Sequence, residues 1–312
     1  MIVWIIFIAV ILIFLALDLG VFNRTPHVIS TKEASVWTAI WISIGLSFSF
    51  LIYLFFKNGW VENPTALTPY GAMLKYVTGY LIELSLSIDN IFVIAVIFSS
   101  FKIPLKFQHR VLFWGILGAI VFRAIMIFVG VALINKFSWV TYIFGAFLLF
   151  TAFKMLVAKE EKEIDPKSSF IYRAVRKMIP ITHRIESEHF FVRKRHLLVA
   201  TPLFLVLILI EFTDVLFALD SIPAILAITT NSFIVFSSNI LAILGLRSMY
   251  FFLSSMTAKF HYLKYSLVAI LSFVGVKLIL ANHMHFEEWI SLSFIFVSLA
   301  LGILVSFKRI TA

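Results

Sequence analysis

The sequence predicts an all-α polytopic membrane bundle of about nine transmembrane helices, containing an inverted repeat of three helices, with its amino terminus outside and its carboxyl terminus in the cytoplasm. Three observations lead there. Hydrophobic residues make up 62% of the 312 and charged residues 13%, whereas soluble chains are nearer half apolar and about a quarter charged. The apolar residues gather into blocks of roughly 20, the length that crosses a bilayer as a helix. The 26 lysines and arginines fall mainly on alternate loops, the pattern of cytoplasmic loops beside a membrane.

The elements follow in order. Residues 1–21 lack a basic start and a small-residue cleavage site and end in Asp18-Leu19-Gly20, so they read as a first span rather than a leader. Further spans are expected at 35–56, 72–101, 110–133, 139–157, 197–228, 233–254, 263–281 and 287–307. One set of loops holds Arg24, Lys32, Lys102, Lys106, Arg110, Lys259, Lys264, Lys308, Arg309 and ten more basic residues in 158–196, against Lys57, Lys75 and Lys136 in the other. That asymmetry sets the orientation. The net charge of +10 then belongs to the cytoplasmic face and the bilayer beneath it, and calls for no nucleic acid. In the basic loop 158–196, Phe170, Ile171, Tyr172, Val175 and Met178 recur at helical spacing. This suits either an interfacial helix on anionic lipid or a solvated connector between two halves.

The two halves resemble each other. Glu83 precedes Asp89-Asn90-Ile91 by six residues, as Asp214 precedes Asp220-Ser221-Ile222. Arg123 then corresponds to Arg247, and Lys154 to Lys277, in the same order. Residues 71–157 form the first repeat and 197–281 the second, within one membrane domain spanning 1–312. Three helices per unit is an odd number, so the copies cross in opposite directions, a feature of many secondary transporters.

Ionisable residues inside spans are costly, about 2.5 to 3.5 kcal/mol each at the bilayer centre. Here the acids Asp18, Glu83, Asp89, Glu211, Asp214 and Asp220 outnumber the bases Arg123, Lys154, Arg247 and Lys277 by two. One divalent cation would balance that excess. Mutual ion pairing that locks the bundle is the competing use, and it suits the four bases best. Asp18 lies near a helix end, where an interfacial role is as natural as a pathway role. Glu211 and Asp214, three apart, share a helix face. Glu83 and Asp89, six apart, point about 120° away from each other, so one acid of each motif is free to face a base. Alternatively the helices break locally, at Ser85 and Ser87 or at Pro223.

The oxygen set of these acids, with Asn90, Ser221 or Thr213, favours hard cations such as Mg²⁺, Ca²⁺ or Mn²⁺. With no cysteine, thiolate metal sites, disulfides and thiol catalysis are excluded. His283 and His285 read as part of a surface loop. No GxxxxGK[ST] loop is present for an ATP-driven pump.

The stretches LDLGVFNR, IELSLSIDNIFV and EFTDVLFALDSIPAI resemble those of the TerC family of membrane proteins, TerC/Alx type, over nearly the whole chain. The resemblance implies a multi-pass protein of the bacterial inner membrane, linked to tellurium resistance and manganese export, and related to cation and amino-acid exporters with inverted repeats. Carried over, it implicates Asp89 with Asn90, and Asp214 and Asp220 with Ser221, with Glu83 and Glu211 adjacent. The expected function is export of a divalent cation, foremost Mn²⁺, as substrate, with no permanently bound cofactor and no enzymatic activity. Two alternatives stand beside it. One is a non-transporting component of tellurite or envelope stress tolerance. The other is an intramembrane aspartyl protease, against which the context Leu219-Asp220-Ser221 lacks the glycines of a GxGD motif.

Overall fold

The computed structural model describes residues 2–17, 30–157, 172–174, 177, 180–182, 189–194, 197–254, 263–281, 284 and 287–308. In chain order these form α1 (Ile2–Leu17), α2 (Thr31–Lys57), α3 (Pro69–Ser100), α4 (Leu105–Lys136), α5 (Val140–Val157), β1 (Phe191–Lys194), β2 (Leu197–Ala200), α6 (Pro202–Leu226), α7 (Ser232–Leu244), α8 (Leu246–Ser254), α9 (Leu263–Leu280) and α10 (Glu288–Lys308). Local chemistry sets several boundaries. Thr68 caps α3, its Oγ1 accepting from the Gly71 N–H at 3.0 Å, with Pro69 opening the helix where a missing N–H costs nothing. Ser30 caps α2 in the same way through the Glu33 N–H.

The helices lie where nine spans were expected, with three differences. The sixth span starts five residues late, because 197–200 forms a strand paired antiparallel with β1, Phe191 opposite Ala200; Pro202 then begins α6. The span 233–254 is two helices bent by 43°, and Gly245 at the joint lets the Trp41 side chain pack against it. The alternative of a local break at Ser85, Ser87 or Pro223 is not realised: α3 and α6 run through these residues, and Ser85 Oγ donates to Leu81 O within its own helix. Six described helices are long and apolar enough to cross a membrane, seven if the bent pair is one span. The described part of α1, 16 residues, and α9, 18, are not among the six. Most of loop 158–196 lies outside the described residues, including Phe170, Ile171, Val175 and Met178.

The side chains of α7 are almost entirely buried, and half of the residues of α3 are buried. Around them α3 packs on α7, α4 on α6, and α5 on α9. Exchanging α3 with α6, α4 with α7 and α5 with α9 returns the same three pairs. Exposed Ile, Leu, Val and Phe side chains cover the outward faces of α1, α4, α5 and α10, as contact with acyl chains requires. Trp4 and Phe7 of α1 dock edge-on against Phe233 of α7. At the start of α7, Asn231 accepts from the Phe233 and Ile234 N–H groups and donates to Glu62 O at 2.9 Å, tying the loop 58–68 over that end.

In the α5–α9 pair the backbones themselves approach: a Cβ at Gly145 would stand 2.8 Å from Gly275 O, and one at Gly275 3.1 Å from Gly145 O. Small residues permit this packing, which drives helix association in lipid. Gly275→Leu should therefore destabilise the detergent-solubilised protein by about 1–3 kcal/mol, the usual cost of overpacking, read as a lower denaturant midpoint. An unchanged midpoint would show that the two helices are not held at backbone contact.

Candidate functional site

Four helices deliver one polar cluster into the buried centre. Arg123 of α4 is fully buried, which requires every part of its guanidinium to find an acceptor. Its Nη2 donates to Asp214 Oδ1 at 2.8 Å and its Nε to Asp214 Oδ2 at 3.1 Å, a two-pronged contact with α6. Its Nη1 pairs with Glu83 Oε1 of α3, donates to Asn239 Oδ1 of α7 at 3.1 Å and lies 3.4 Å from Ser221 Oγ. Asn239 closes the ring, its Nδ2 donating to Glu83 Oε2 at 2.9 Å. Two carboxyl groups thus share one guanidinium.

The first acid of each motif thus faces a base, and the second acid of each motif lies elsewhere. Asp89 lines a cavity of about 950 Å³ that also takes in Ser99, Lys102, Gln108, Tyr250, Ser254 and Lys264. Lys102 and Lys264 place its mouth at the end of the bundle that carries the basic loops. Asp220 Oδ1 accepts from Thr151 Oγ1 of α5 at 2.8 Å. The Asp89 and Asp220 carboxylates are within electrostatic reach of each other, Lys264 acts on Asp89, and Lys154 acts on Asp220.

The other expected residues divide as follows. Asn90 is buried with its Oδ1 unpartnered, beside a void of about 20 Å³ shared with Thr213 and Asp214, room for one water. Ser87 Oγ is likewise buried without a partner. Glu211 does not converge on the arginine; its carboxylate lies against Gly118 of α4, where a Cβ would not fit, and its Oε2 has no hydrogen-bond partner. Among the described residues, no three of the His, Asp and Glu side chains stand close enough to hold a metal ion together. The seven expected ligands are therefore not one preassembled shell, because Arg123 occupies Glu83 and Asp214. Asp18, His283 and His285 lie outside the described residues.

The bases do not follow their sequence correspondence. Arg247 stands away from the centre, its Nη1 2.7 Å from His109 Nε2. Asn239 takes the place facing Glu83 that Arg123 takes facing Asp214. Lys277 donates to Ser291 Oγ at 2.7 Å, near the Lys75–Glu288 pair, while its counterpart Lys154 is within electrostatic reach of Asp220. Asn239 and Thr151 were missed in the sequence. An asparagine within the apolar run Ile234–Leu244, and a threonine one turn before Lys154, are the signals that mark them.

Against known proteins, the family model of the integral membrane protein TerC family matches residues 70–311. An uncharacterized membrane protein of Myxococcus xanthus, STKORF319, is 48% identical over 97% of this chain and 91% of its own length. Alx of Salmonella typhi, named as a candidate membrane-bound redox modulator, is 47% identical over 96% of this chain and 92% of its own. An uncharacterized membrane protein of Rickettsia bellii is 43% identical over 98% of this chain and 97% of its own. No solved structure matches the chain.

Removing the guanidinium strands the buried Glu83 carboxylate and the partly buried Asp214 one, so Arg123→Met should cost about 3–5 kcal/mol. Asn239→Leu removes one donor from Glu83 and one acceptor from Arg123, and should cost about 1–3 kcal/mol. Thermal unfolding in detergent measures both, and an unaltered Tm for Arg123→Met would refute the cluster.

Proposed function

Because this chain belongs to the integral membrane protein TerC family, we propose that it is a membrane transporter that exports a divalent cation, foremost Mn²⁺, with Asp89 and Asp220 as its principal ligands. The observation that carries this reading is the position of these two acids. They are the second acids of two mirrored motifs, they are within electrostatic reach of each other, and one opens onto a 950 Å³ cavity at the basic end. Glu83 and Asp214 support the site rather than bind the ion, since Arg123 already holds them.

Two carboxylates are fewer than the six to eight oxygens a hard cation collects, so the ion keeps part of its water. The wide cavity has room for it. The basic end is the cytoplasmic face in this reading, which makes the described state open to the cytoplasm. On the opposite side the loop 58–68, tied by the Asn231–Glu62 bond, covers the bundle. Transport then exchanges this state with one open outward, the two halves acting as inverted repeats. The Alx relatives are named for redox modulation. This chain has no cysteine, so an effect on redox balance would pass through its cation and not through thiols.

Uptake of Mn²⁺ into energised inside-out vesicles tests the proposal. Asp89→Asn and Asp220→Asn should each abolish it, while Glu211→Gln, outside the pair, should retain measurable uptake. Unchanged uptake in both aspartate variants would sink the assignment. Purified protein that moves no ion in liposomes would instead mark a non-transporting stress-tolerance component.

A further inference from the structure

We propose that Lys264 is the resident counter-ion of the empty cation site, neutralising Asp89 in the cavity-open state and giving way to the arriving divalent ion. This rests on the reading of Asp89 and Asp220 as the site. A lysine in the entry of a cation pathway is otherwise an obstacle, since it raises the local potential against the substrate. Lys264 of α9 and Asp89 of α3 line the same cavity, and the ammonium attracts the carboxylate across it. The obstacle thereby becomes a stand-in for the ion.

The arrangement recurs at the other acid. Asp220 of α6 receives the Thr151 hydroxyl and feels Lys154, both from α5. The two lysines enter from the same end of one helix pair. Gly145 and Gly275 touch back to back, and counting along antiparallel α5 and α9 places Lys154 and Lys264 at nearly one level. Each carboxylate of the empty site is thus acted on by one ammonium group, Asp89 by Lys264 and Asp220 by Lys154. A monovalent ion that evicts an ammonium group exchanges one unit charge for another and gains no Coulomb energy. A divalent ion doubles the attraction to both acids. Lys264 is then a specificity-determining residue: it competes with every cation, and only a doubly charged one wins with margin.

Removing it should raise apparent affinity and erode selectivity while slowing the return of the empty carrier, which must close over an uncompensated Asp89. The test is Mn²⁺ uptake in proteoliposomes of the full chain, wild type against Lys264→Gln, Lys264→Met and Lys264→Arg. The Gln and Met variants should lower KM by roughly fivefold, the scale of a partly exposed ion pair, lower kcat, and become inhibitable by K⁺. Lys264→Arg keeps the charge and should hold KM at or above the wild-type value. If neutral variants fail to insert, the Arg variant decides alone: a KM below wild type overturns the counter-ion role. An unchanged or raised KM in inserted neutral variants overturns it too, provided Asp89→Asn is inactive. Full uptake by Asp89→Asn would instead overturn the underlying site reading.

Discussion

The guanidinium of Arg123 is the interaction on which the centre of this molecule depends. It is fully buried and is held by α3, α6 and α7 at once, through Glu83, Asp214 and Asn239. A charge of either sign is expensive in hydrocarbon, and each of these side chains is tolerable only because the others are present. That mutual need sets the relative height of four helices. It fixes Glu83 and Asp214 at one level, and through the helical turn it fixes where Asp89 and Asp220 stand. A bundle with only apolar contacts at this depth could slide by a turn with little penalty. This one cannot, because a slide of one turn would open a buried ion pair.

Most of the architecture was legible in the sequence because the bilayer leaves the backbone few choices. Blocks of apolar residues had to be helices, and the described residues form an all-α bundle with six helices long and apolar enough to cross a membrane, seven if the bent pair is one span. What escaped were features decided by local contact rather than by solvent. The β1–β2 hairpin at Phe191–Ala200 depends on pairing that no hydropathy pattern announces. The bend falls at Gly245, where Trp41 from another helix packs close, while Pro223, the more conspicuous breaker, sits in the last turn of α6.

The site divides along the same line. That one acid of each motif would face a base follows from a spacing of six on a helix of 3.6 residues per turn, and Glu83 and Asp214 do so. Which base they share does not follow. Matching Arg123 with Arg247 by order along the chain was reasonable, yet Asn239 fills the corresponding place, because a neutral amide can both donate to Glu83 and accept from Arg123. Lys264 was hidden for a different reason. It belongs to the basic flank of α9 and was counted as an orientation signal, although its side chain reaches the cavity that holds Asp89.

Among the described residues a single arginine stands at the centre, and it makes the two halves chemically unequal. On one side Asp214 has a permanent counter-charge in a forked contact; on the other Glu83 shares what remains and leans on an amide. Any rearrangement that swaps the roles of the halves must therefore start and finish in states of different energy. In the carrier proposed above, two equal halves would idle without preference between their end states, whereas one arginine would give it a rest position.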